Sequence, residues 1–242
     1  MSDSTRKTFR TIGVILFSAG VLAGMVMFIF MNWAYFEASF YFGYSAPADK
    51  SLTTLRCPLL MTTADTGQVS MSVTNSTERG MSIMIQTELS YYGAATLDKS
   101  SYPVPAGQTR SISWTVTSDN LVFGHLILAR VYEFMAFTLP SRTNTCGTVV
   151  VALPGVTGIQ VFVILMAFSL GCLAAGWGLW LAGNRPIQGE GIIATRAMIF
   201  FTLIVVLGIL SGIIGWWGLG LICAALGILL MISVVAYYIQ RS

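Results

Sequence analysis

The chain has 242 residues, 55% of them hydrophobic and only 10% charged, with a net charge of +3. An ordinary soluble domain carries roughly 25% charged residues, so this composition argues against a typical soluble enzyme. The small net charge gives no footing for a nucleic-acid partner.

Residues 1–10 are a short N-terminus with Arg6, Lys7 and Arg10. Residues 11–33 then hold no Asp, Glu, Lys or Arg, and a run of ~20 such residues is what an α-helix needs to cross ~30 Å of hydrocarbon. This predicts the first transmembrane helix. A cleaved signal peptide would have an apolar core of roughly 7–15 residues. The nearest small-x-small site, Ala46-Pro47-Ala48, lies well past the run with Pro at its centre. The segment therefore reads as a retained signal anchor.

Residues 34–56 follow as an aromatic linker. Its Tyr35, Phe36, Phe40, Tyr41, Phe42 and Tyr44 are candidate contacts for a neighbouring subunit or for lipid, since clustered exposed aromatics mark interaction surfaces. The competing reading is an interfacial segment lying on the headgroups.

Residues 57–154 change to period two. Gln68–Thr74, Met81–Leu89, Thr109–Thr117, the run 122–132 and Gly147–Leu153 alternate or run apolar between turn signals such as Asp65-Thr66-Gly67 and Pro105-Ala106-Gly107. Half-buried strands read this way. The six or seven strands counted suggest an antiparallel β-sandwich. Val69–Arg79 and Val104-Pro105-Ala106-Gly107-Gln108 resemble the immunoglobulin-like modules of bacterial surface proteins of the CARDB type. That resemblance implies a fold and no ligand.

Cys57 and Cys146 bracket this domain. On the oxidising side of a membrane they are predicted to form a disulfide. Free thiols or a metal pair would lack supporting His or acidic ligands. His125 is the one histidine and falls in the run 122–132, where a structural role outweighs a ligand role. With one histidine, neither a zinc site nor a Ser-His-Asp triad has enough parts, so no catalytic residue, metal or cofactor is expected. Asn75-Ser76-Thr77 matches a glycosylation sequon, with a turn-forming Asn as the commoner explanation.

Residues 157–182, 194–214 and 218–239 supply the second to fourth predicted transmembrane helices, joined by a 183–193 loop and the turn Gly215–Gly218. Residues 240–242 close the chain. Small residues recur four apart at Gly20/Gly24, Gly171/Ala175, Gly208/Gly212 and Gly220/Ala224, the spacing that brings helices together in lipid. Trp216 and Trp217 at the turn are further candidate partner or lipid contacts. Six cations against Asp3 and Glu190 lie in the short flanking segments, which places both termini in the cytoplasm and the strand domain outside a plasma membrane.

The expected fold is thus an α-helical four-TM bundle with an extracytoplasmic, immunoglobulin-like antiparallel β-sandwich inserted between the first and second transmembrane helices. The expected function is that of a non-catalytic accessory subunit of a larger membrane complex. Its partners would be membrane lipids and other membrane-protein subunits, with a homo-oligomer open. A surface adhesion module and a pore- or lipid-handling protein are the alternatives.

Overall fold

The computed structural model describes residues 3–43, 50–91, 94–134, 140–187 and 189–239. The chain forms two compact units, one of Met1–Asn32 with Phe162–Ser242 and the other of Trp33–Val161. Its helices are α1 (Asp3–Tyr41), α2 (Gly158–Gly183), α3 (Glu190–Ile214) and α4 (Trp217–Ile239). All four are long and apolar enough to cross a membrane.

The first unit is helical. α3 ends at Gly215, whose positive φ of 83° lets its N–H and that of Trp216 both return to the Ser211 carbonyl at 2.9 Å. Both bonds fall on that one carbonyl and close the last turn of the helix.

Among its described residues the second unit carries nine strands: β1 (Lys50–Ser51), β2 (Leu60–Thr62), β3 (Gly67–Thr74), β4 (Met81–Tyr91), β5 (Ala94–Val104), β6 (Thr109–Val116), β7 (Leu121–Val122), β8 (Leu126–Glu133) and β9 (Arg142–Val151). The larger sheet runs β1-β9-β8-β4-β5, with β2 also on β9 and β7 on β8, while β3 and β6 form a two-stranded sheet. β8 is central. Leu126 and Leu128 face one side with Ala34, Ala38 and Phe42 of the α1 end, and the alternate residues Ile127, Ala129 and Val131 are also fully buried. Burial on both faces explains why its first four residues, Leu126–Ala129, are all apolar.

β1 and β2 both pair parallel with β9, at Lys50↔Arg142 and Leu60↔Val149 respectively. Between those two stretches the ladder is interrupted, and the Cys57–Cys146 disulfide sits in the gap. Asn144 Nδ2 donates to the Leu52 carbonyl and Thr148 Oγ1 to the Pro58 carbonyl, both at 2.9 Å. Side chains, a covalent bond and the Arg56–Ser70 backbone bridge to β3 thus hold the 52–58 segment where the β9 ladder does not.

Two expectations are corrected here. The expected layout, a four-helix bundle with an antiparallel immunoglobulin-like sandwich inserted between its first two helices, is overturned by the element order and the sheet. One long helix precedes every strand, three helices lie C-terminal to the sheet domain, and the larger sheet is mixed, with two parallel pairings. Nor are residues 34–56 wholly a linker, because α1 continues to Tyr41. No Gly or Pro occurs between Gly24 and Gly43. Ala34 and Ala38, four apart, let the helix sit on β9 so closely that a Cβ on Gly147 would collide with the Ala34 backbone.

Candidate functional site

The end of α1 within the strand unit is where charge, aromatic rings and burial converge. Its inward side is closed by the Ala34, Ala38 and Phe42 cluster. Its outward side carries Trp33, Phe36 and Phe40 in a ladder, with ring centroids 5.6 Å and 4.5 Å apart. Trp33 is 46% exposed and Phe40 57%. The helix terminus is fixed by Arg130 of β8. Its Nη1 donates to the Phe42 carbonyl and its Nη2 to Glu88 Oε2, both at 2.6 Å, while Gln86 Nε2 donates to Glu88 Oε1 at 2.7 Å. A cation on the last carbonyls of a helix is favoured by the helix dipole, and Glu88 holds that cation in place. Ser39 Oγ and Thr145 Oγ1 add a bond at 3.1 Å between the helix and β9.

The aromatic candidates therefore divide. Phe36 and Phe40 lie on the outward side, Tyr41 is half-buried edge-on to Phe123, and Tyr35 and Phe42 are buried. Tyr44 falls outside the described residues. Trp216 is exposed and Trp217 half-buried.

In the helical unit the small residues also divide. A Cβ on Gly20 would lie 2.8 Å from the Leu173 nitrogen and the Ser169 oxygen of α2. On Gly24 it would meet Val205 and Ser169, and on Gly208, Gly212 and Gly220 it would meet Phe28, Met31 or Asn32. Ala224 is buried. Gly171, by contrast, has nothing within 4 Å of such an atom, and Ala175 is exposed, so this expected packing pair points outward. The α1–α2 contact uses Gly13, Gly20, Gly176 and Gly183 instead. These glycines stand seven apart on each helix, a spacing that a search for four-apart pairs passes over.

The sequence reading also missed Asn32. It is fully buried, its Nδ2 donates to the Phe28 carbonyl at 2.8 Å, and its Oδ1 accepts from Ser211 Oγ at 3.3 Å. Ser169 Oγ likewise donates to the Gly20 carbonyl at 2.8 Å. A lone Asn inside an apolar run was the available signal. Such groups join helices where few other polar partners exist.

His125 is exposed in the turn between β7 and β8, not within a strand. That turn is made by Phe123 and Gly124 at φ 53° and 75°. Among the described residues no group of three His, Cys, Asp or Glu could hold a metal ion. A groove of about 310 Å³ between α3 and α4 is lined by Ile193, Ala197, Phe200, Leu230, Val234 and their neighbours. Its chemistry suits an apolar chain.

Two carboxylates have displaced titrations. Asp65 Oδ2 accepts from the Gly158 nitrogen at 2.6 Å and the Thr62 nitrogen at 2.9 Å, and these bonds hold its carboxyl below the usual range. It thereby joins the Thr157–Gln160 capping box at the start of α2. Glu133 is 1% exposed, and its Oε2 has no hydrogen-bond partner among the described residues. Burial pushes its carboxyl up, partly opposed by Arg142.

No protein-family model and no curated protein matches the sequence. Among solved structures the chain is similar to a calcium-binding mutant of Bacteroides uniformis β-glucuronidase 2, at 14% identity over 40% of this chain and 13% of that one, with a TM-score of 0.28. It is also similar to β-glucosidase from Listeria innocua, at 14% identity over 41% of this chain and 16% of that one, with a TM-score of 0.30. The chain thus spans a small fraction of these structures, and likeness at that level carries no functional argument.

Proposed function

We propose that this chain is a non-catalytic integral membrane protein. It acts as an accessory subunit of a larger membrane complex, with both termini in the cytoplasm and the strand unit on the outer face. The observation that carries this reading is the end of α1, where Phe40 stays exposed beyond the expected span of 11–33. Apolar surface outside hydrocarbon calls for a protein partner. The four apolar helices and their basic flanks support the membrane placement. Extraction from native membranes in a gentle detergent, followed by native mass analysis, tests the reading. A defined assembly with other proteins supports it; a chain recovered without any other protein overturns it.

The α3–α4 groove favours a second reading, lipid handling. Its test is lipid analysis of the purified protein. A single lipid class retained at fixed stoichiometry, and lost on Ala197→Trp, supports it; a bulk-like lipid mixture removes it.

A further inference from the structure

We propose that the groove between α3 and α4 holds an anionic phospholipid of the cytoplasmic leaflet, with one acyl chain in the groove and the phosphate on Arg196. This deepens the lipid reading above and rests on it, and on the membrane placement. Within the four apolar runs 11–33, 157–182, 194–214 and 218–239, Arg196 is the one charged residue. A charge inside a membrane-spanning segment is costly, and it ordinarily turns inward to a partner in its own bundle. Arg196 does the opposite. It is exposed on α3, and among the described residues it makes no hydrogen bond, ion pair or ring contact. Its counter-ion must come from outside the helical unit.

The place of Arg196 on α3 selects what supplies that counter-ion. It stands three residues after Ile193 and four before Phe200, the spacings at which side chains on a helix are neighbours. Ile193 and Phe200 both line the groove, facing Leu230, Ser233 and Val234 of α4, and they are 52% and 58% exposed. From Ile193 to Phe200 the groove runs about 10 Å along α3 at ~1.5 Å per residue. That length fits inside a single leaflet, ~15 Å or half of the ~30 Å of hydrocarbon. Side chains on a helix lean toward its N-terminus, which for α3 is the cytoplasmic end. The guanidinium of Arg196 therefore reaches for the headgroups of the leaflet whose chains fill the groove.

A phosphate beside an apolar chain is the chemistry of one phospholipid, and the flanks set its net charge. Six cations stand against Asp3 and Glu190 in the short cytoplasmic segments. That excess repels the ammonium of a zwitterionic headgroup and favours a headgroup of net negative charge. The exposed Leu203, Leu207 and Leu210 farther along α3 have no cation among them, and lipid tails of any class cover them equally well.

The test is native mass spectrometry of the full-length chain, delipidated in mild detergent and given phosphatidylglycerol or phosphatidylcholine with identical acyl chains. One phosphatidylglycerol per chain is expected, retained in preference to phosphatidylcholine. Arg196→Gln should cut that preference about fivefold, the worth of one cation at a headgroup, and Arg196→Lys should keep most of it. Ala197→Trp, which fills the groove, should remove both lipids, while Leu207→Trp on the outward side of α3 should remove neither. Equal retention of the two lipids by the wild type, lost on Ala197→Trp, would leave a lipid site standing and overturn its anionic character. A preference unmoved by Arg196→Gln would overturn the phosphate contact. Lipid that survives Ala197→Trp would overturn the groove as its seat, and no lipid on the wild type would overturn the lipid reading as well. A protein whose co-extraction from native membranes is lost in Arg196→Gln would mean a carboxylate on another helix, and would overturn the phospholipid.

Discussion

Asn75 shows how a surface motif can be consumed by a fold. Its side chain is 0% exposed. Its Nδ2 is shared among the carbonyls of Arg79, Val104 and Pro105 at 2.8–3.2 Å, and its Oδ1 accepts from both the nitrogen and the hydroxyl of Thr77. A glycan could not be carried on that nitrogen in the folded chain. We expect deglycosidase treatment to leave the electrophoretic mobility of the protein from a glycosylating host unchanged. Asn75→Ala should cost about 2–3 kcal/mol in a denaturant titration, because buried carbonyls lose their donor. Asp65 and Glu133 predict opposite pH responses. The folded Asp65 carboxyl lies below its unfolded value, so its contribution is present above about pH 4 and disappears as pH falls through the folded value. The stability gap between wild type and Asp65→Asn should thus be full at neutral pH and close in acid. The folded Glu133 carboxyl lies above its unfolded value, so stability falls as pH rises past the ordinary carboxylate range. Glu133→Gln should flatten that decline, as read from melting temperature against pH. The turn at Asn75 was legible in the sequence; the burial of Glu133 was not, since it depends on the strands that cover it.

Among the helices, the glycines separate packing from mere composition. Gly20→Leu or Gly176→Leu would drive a side chain into the facing backbone of the α1–α2 contact, and should lower the melting temperature in detergent clearly. Gly171→Leu and Gly178→Leu, with open space at each Cβ, should leave it nearly unchanged. Equal effects from the two pairs would refute the assignment of faces. All four glycines sit in long apolar runs, and small-residue spacing says that a stripe exists and not which way it points. The same limit applies to β5. It is an edge strand held by β4 alone, and Ala95–Lys99 are exposed on both faces. No alternation therefore betrays it, and Lys99 and Pro103 are the residue types that keep an open edge from pairing further. α3 and α4 were legible nearly to their ends because their apolar runs are bounded by Gly and by charge. α1 was not, because its last turns are aromatic rather than aliphatic and resemble a linker until β9 is present beneath them.

Across the whole molecule, the division into apolar helices and a strand-rich unit was readable from composition. The pairing of Cys57 with Cys146 followed from their placement at its two ends. The parallel pairings of β1 and β2 were out of reach, because both strands are short and their partner lies some 90 residues away in sequence. The same separation makes the disulfide consequential. A bond closing 89 residues of chain removes much of the freedom of the unfolded state. Cys57→Ser with Cys146→Ser should lower the stability of the strand unit by about 2–5 kcal/mol, measured as a denaturation midpoint shift. An unchanged midpoint would show that the side-chain bonds around Leu52 and Pro58 suffice alone.

The position of β9 also sets an order of events during synthesis. β1, Cys57 and β2 leave the ribosome first, yet every backbone bond that makes them strands is to the last strand of the unit. Until that strand is made, β1 and β2 have no sheet to join, although Arg56 between them already bridges to Ser70 of β3, and the opening of the domain is the last part to be closed. A chain stopped short of Arg142 would leave those early strands, and an unpaired Cys57, waiting for a partner that never arrives.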